Sequence, residues 1–222
     1  MSRNFLTPIV LPAGTASSAP LNLQAGTNLT TPAAGAVEFD GKVLYTTPAS
    51  RGVSPSMMIY RLNSGLAGSN VNTAQSLFGV GVTLADSTVY SFEYQFALTK
   101  GAGATTHSVG LGFGGAATLN NILYSGSTTT ATSTLPFYAA SGAFVTVNTA
   151  SNTTASSSVG TAVVTRVYSL FGTVSINAGG TFIPQYTLSA APGGAYTTAA
   201  GSYFAIWPLG ASGANTSVGP WA

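Results

Sequence analysis

The sequence predicts an all-β fold, a jelly-roll-like antiparallel β-sandwich with an extended N-terminal arm, and three observations lead there. From Val89 to Leu98 the side chains alternate, with Tyr90, Phe92, Tyr94, Phe96 and Leu98 on one side and Val89, Ser91, Glu93, Gln95 and Ala97 on the other. A period of two is that of a strand, and a face of five large side chains needs a second layer to cover it. Apolar segments of strand length recur along the chain between clusters of Gly, Ser, Thr, Asn and Pro, and no stretch has the period of an amphipathic helix. Charged residues are 5% of the chain, against roughly 25% in ordinary soluble proteins. The surface is therefore made of Ser, Thr, Asn, Gly and Ala, which suits a chain packed in an assembly or facing the outside world.

Residues 1–33 read as the arm and residues 34–222 as the sandwich. Pro8, Pro12, Pro20 and Pro32 forbid a continuous helix, while Phe5, Leu6, Ile9, Val10, Leu11, Leu21, Leu23 and Leu29 are too apolar for a solvated tail. The arm lies either on its own domain or on a neighbouring polypeptide, and apolar content alone leaves both open. Its apolar run is too short and too broken by proline for a signal peptide or a membrane span, so the product is expected to start as it ends up, with no membrane insertion.

Next, Ala36-Val37-Glu38-Phe39-Asp40-Gly41-Lys42-Val43-Leu44-Tyr45 places Asp-Gly between alternating apolar residues, which predicts a two-residue type I′ hairpin. Glu38, Asp40, Lys42, Arg51 and Arg61 are half of the charged residues. They read as a solvated hairpin or inter-subunit ion pairs rather than an active site. Further strands are expected at 56–62, 75–84, 89–98, 108–113, 117–124, 135–147, 162–176, 181–189 and 202–208. The Ser and Thr runs at 125–134 and 148–158 read as loops, and Asn177-Ala178-Gly179-Gly180 as a hairpin turn.

Candidate chemistry is sparse. His107 has no acidic residue nearby in sequence and reads as a surface or sheet-edge side chain. The acids Glu38, Asp40, Asp86 and Glu93 are too scattered for a catalytic pair, and Cys and His clusters for a metal are lacking. Gly110-Leu111-Gly112-Phe113-Gly114-Gly115 sits inside strand sequence with no following helix or lysine, so a phosphate loop is set aside in favour of close strand packing or a bulge. Six basic residues without a cluster give no nucleic-acid footprint. No enzyme activity and no cofactor is expected. Glu93 and Arg166, which falls in the 162–176 strand, are expected to form a structural ion pair that fixes register or a subunit contact.

The run from Thr31 to Tyr45 followed by Arg51-Gly52-Val53 resembles the opening of a domain of tailed-phage virion proteins, especially those of aquatic and cyanobacterial phages. The end of the chain is similar too, through Asn177-Ala178-Gly179-Gly180-Thr181-Phe182, Ser189-Ala190-Ala191-Pro192-Gly193-Gly194, Gly201-Ser202-Tyr203-Phe204 and Val218-Gly219-Pro220-Trp221-Ala222. The resemblance covers residues 20–222 and implies a phage structural protein, a fibre tip or a stand-alone component, with a trimeric β-sandwich and no catalytic residues.

A fibre needs a shaft before its tip, and only the arm precedes the domain, so the expectation is a homotrimeric capsid decoration (cement) protein on the outer surface of the virion. Its partners would be itself and the major capsid protein, clamped through Phe5, Leu6, Ile9 and Leu11 of the arm. The alternative is a tail-fibre tip or receptor-binding module whose Ser, Thr and Tyr loops contact host surface glycans.

Overall fold

The structure, a computed structural model, describes residues 10–54, 56–103, 105–130, 142–147, 153–159, 163–213, 215, 218, 219 and 221. Its strands are β1 (Val37–Phe39), β2 (Leu44–Thr46), β3 (Gly52–Val53), β4 (Met58–Arg61), β5 (Leu66–Ala67), β6 (Gln75–Ser76), β7 (Val82–Leu84) and β8 (Thr88–Lys100). They continue with β9 (His107–Gly114), β10 (Thr118–Thr130), β11 (Gly142–Val147), β12 (Thr153–Val159), β13 (Thr165–Ala178), β14 (Gly180–Leu188), β15 (Tyr196–Thr198) and β16 (Tyr203–Ala211). All pairings are antiparallel, and no helix occurs among the described residues.

Strand β8 holds the centre. β13 lies along one side of it, and β15 and β16 share the other. With β10, β11, β4 and β5 these form an eight-stranded sheet, and β12, β9, β14, β6 and β7 form a five-stranded one. The two pack as a sandwich. Tyr90, Phe92, Tyr94, Phe96 and Leu98 all point into the core, as their alternation predicts. Phe92 of the larger sheet meets Phe113 of the smaller one edge-on at 5.2 Å, and Phe113 stacks on Phe182 at 4.5 Å. Aromatic burial across the two layers is the main cohesive term, since each such side chain contributes roughly 1.5–3 kcal/mol.

Several local expectations are corrected. Asn177 to Gly180 is not a hairpin: β13 belongs to the larger sheet and β14 to the smaller, so the chain changes layer there. The corner is tight enough that a Cβ on Gly179 would lie 2.9 Å from the Asp86 amide nitrogen and the Leu84 carbonyl oxygen. The 75–84 segment is two strands, because the chain turns at Gly79, with φ of 73°, after Leu77 and Phe78 plug the core, Leu77 keeping its amide on the Pro184 carbonyl at 3.0 Å. The Ser and Thr runs are partly strand. β10 continues to Thr130 with Ser127 opposite Ser169 and Thr128 opposite Tyr168, and β12 covers 153–159. β-Branched threonine suits a pleated ladder. The remainder of those runs, 131–134 and 148–152, and the first part of the expected 135–147 strand lie outside the described residues.

Strands β1 to β3 make a separate three-stranded sheet. Its turn is centred on Gly41 and Lys42, and only Gly41 has positive φ, at 91°, which is the pattern of type II′ rather than I′. Asp40 precedes the turn and stabilises it. Its Oδ1 accepts the Lys42 and Val43 amides at 2.8 and 2.7 Å, and its Oδ2 accepts the Tyr45 hydroxyl at 2.9 Å. Lys42 then reaches the main body, with its ammonium 3.3 Å from the Asp86 carboxylate.

Candidate interaction surfaces

The first surface is the arm. From Val10 to Gly35 every residue except Asn28 is exposed, and Val10 and Leu11 keep 88% and 45% of their accessible area. Phe5, Leu6 and Ile9 lie outside the described residues. Over its described length, then, the arm remains exposed rather than buried in its own domain.

The arm is nevertheless held at its root. The Gly26 amide donates to the Phe39 carbonyl at 2.9 Å, and the Leu29 amide donates to Glu38 Oε1 at 2.6 Å. Arg51 joins Glu38 through Nε at 3.0 Å and Nη2 at 2.8 Å to Oε2, and the same Nη2 donates to the Leu29 carbonyl at 2.6 Å. The Leu29 amide, helped by the Arg51 guanidinium and opposed by desolvation, holds the Glu38 carboxyl below its usual range. The charged residues of 38–61 therefore form intrachain contacts, with Arg61 donating to Asn63 at 2.8 Å.

The second surface is a sheet edge that the sequence did not single out. Among the described residues β4 pairs only with β16, leaving its other edge free. Met58, Ile59 and Tyr60 are exposed on both faces of the strand, Ile59 at 62%. Beside them is an apolar hollow of about 200 Å³ lined by Met58, Tyr60, Phe78, Val80, Val82 and Ile206. It opens between β4 of one sheet and β7 of the other, at the unclosed side of the sandwich. A free apolar edge with a single charged residue, Arg61, at its end invites pairing with another chain.

Glu93 and Arg166 do not form the expected pair. Arg166 sits opposite Leu98 and Glu93 opposite Phe171, so they are five positions apart, about 17 Å along the strands. An odd separation also puts them on opposite faces. Arg166 lies on the core side with its Nε buried and without a hydrogen bond, and Glu93 lies on the outer face, accepting the Tyr203 hydroxyl at 3.4 Å. Sequence pattern placed both on neighbouring strands but carried no register.

His107 is buried, not at the surface. Nδ1 is 2.9 Å from the Thr105 carbonyl and Nε2 is 2.8 Å from the Tyr196 hydroxyl. A carbonyl only accepts, so Nδ1 carries the proton and Nε2 receives the phenol's. Burial raises the Tyr196 pKa well above that of an ordinary phenol, with the Arg166 charge pulling the other way. Lys100, fully buried close by in the ladder opposite Tyr196, donates to the Gly103 and Gly101 carbonyls at 3.2 and 3.4 Å. Among the described residues no three His, Cys, Asp or Glu side chains converge on a metal position.

Comparison of the chain with family models, with curated proteins and with solved structures returns no match.

Proposed function

We propose that the protein is a structural component of a tailed-phage virion, a homotrimeric capsid decoration protein that clamps neighbouring major capsid proteins from the outer surface. The observation that carries the reading is an apolar arm left uncovered by its own fold and anchored at its root by Glu38 and Arg51. Anchoring at one end and exposure beyond it suit a strap that is buried only in a partner. Burial of Phe5, Leu6, Ile9 and Leu11 against a capsid protein would contribute roughly 1.5–3 kcal/mol for each well-covered side chain. Three arms on one body add by avidity rather than by new contacts.

The free β4 edge supplies the joint between copies. It is apolar and nearly uncharged, and a second copy offers it both backbone partners and apolar side chains. The charge-poor surface and the resemblance of residues 20–222 to phage virion proteins support the same reading. The test is imaging of phage particles carrying labelled protein: label over the head at regular positions is expected, and label confined to the tail would replace decoration by the tail-tip reading.

A further inference from the structure

Across the outer face of the larger sheet, the register of β16, β8 and β13 sets outward-facing side chains in rows. Tyr203, Gln95 and Ser169 form one row, Ala205, Glu93 and Phe171 the next, and Trp207, Ser91 and Thr173 the third. Leu123 of β10 extends the third row opposite Thr173. The floor of this grid is low, because Ser91 and Thr173 are short, and its rim is high, because Phe171, Trp207 and Leu123 are large. The result is a shelf with a hollow of about 660 Å³, within the roughly 300–1,000 Å³ of small-molecule sites.

Two features of the shelf specify an occupant. Phe171 is 66% exposed, whereas most of the other aromatic rings among the described residues are buried. Phe171 and Trp207 stand on strands either side of β8, about 10 Å apart across the sheet and one pleat apart along it. Between them Glu93 has, among the described residues, just one long hydrogen bond, from Tyr203 at 3.4 Å, which leaves acceptor capacity for a ligand. An apolar partner laid flat over the shelf would strip water from that carboxylate without replacing its hydrogen bonds.

We propose that this shelf binds a neutral saccharide, with sugar rings laid against Phe171 and Trp207 and ring hydroxyls donating to Glu93. A pyranose offers an apolar C–H face to an aromatic ring and hydroxyl donors around its rim, which is the combination the shelf lacks. Gln95 and Ser169, already joined Nε2 to Oγ at 3.1 Å, provide further polar contacts at the next row. The inference concerns a sheet face rather than the loops, and it stands whether the protein sits on a head or a tail.

The purified full chain is titrated with tetrasaccharides of glucose, galactose, mannose and N-acetylglucosamine, followed by tryptophan emission and calorimetry. Saturable binding of at least one is expected, weakened about tenfold or more by Phe171→Ala and measurably by Glu93→Gln. Phe171 is outside the core and Glu93→Gln keeps its shape, so both variants should keep the wild-type melting temperature. No binding of any probe up to about 10 mM, or binding unchanged in both variants, would overturn the proposal. So would a shift of the oligomer to monomer in Phe171→Ala without any sugar binding, which would give the face to a second copy instead.

Discussion

Arg51 grips Glu38 through two nitrogens, and the pair holds both backbone groups of Leu29: the amide on Glu38 Oε1 at 2.6 Å and the carbonyl on Arg51 Nη2 at 2.6 Å. Thirteen residues separate the two side chains in sequence, and what they fix is the point where the arm leaves the fold.

That clasp should open in acid. Glu38 has a folded pKa below its usual 4.5, chiefly through the Leu29 amide, so its contribution is complete above that value and is lost as pH falls through the lowered one. Hydrogen exchange over residues 24–31 should show the Leu29 amide protected at about pH 6 and released at about pH 3. Arg51→Ala should expose the same segment at neutral pH without lowering the melting temperature of the sandwich. Equal protection across that range would remove Glu38 from the role.

Phe92 should be the costliest single truncation. Its ring lies within 6.5 Å of Phe113, Tyr124, Phe182 and Phe204, which come from both layers. Phe92→Ala should cost about 3–5 kcal/mol in denaturant unfolding, the range for a large aromatic cavity. A loss under about 1 kcal/mol would mean that the two sheets do not share this core.

The β4 edge makes a prediction about assembly. Met58→Lys puts a charge beside the apolar hollow at an edge where lysine discourages strand addition. If β4 is the joint between copies, sedimentation should show a smaller species for the variant than for the wild type, with the strand signal in circular dichroism intact. An oligomer of undiminished size would place the joint elsewhere.

How much was legible in the letters depended on whether the two faces of an element differ. Residues 89–98 announce a central strand because one face is aromatic and the other polar, and the structure puts every one of those rings inside. The Ser and Thr run continuing β10 shows no such contrast, so it reads as a loop although it forms a ladder with β13. Gly179 and Gly180 permit a sharp turn but say nothing about which sheet the next strand joins. Glu93 and Arg166 failed as a pair because register is a property of two strands together. The β4 edge was hidden for the same reason: an apolar strand looks alike in sequence whether one side of it is paired or both.

The central claim is that the arm is buried in a partner rather than in its own fold, and deletion of residues 2–20 tests it most directly. Those residues that are described make no contact that the sandwich needs, so the shortened protein should fold, melt and oligomerise as the full chain does. Added to particles stripped of the native protein, it should fail to reach the occupancy of the full-length form. Equal occupancy with and without the arm would contradict the account.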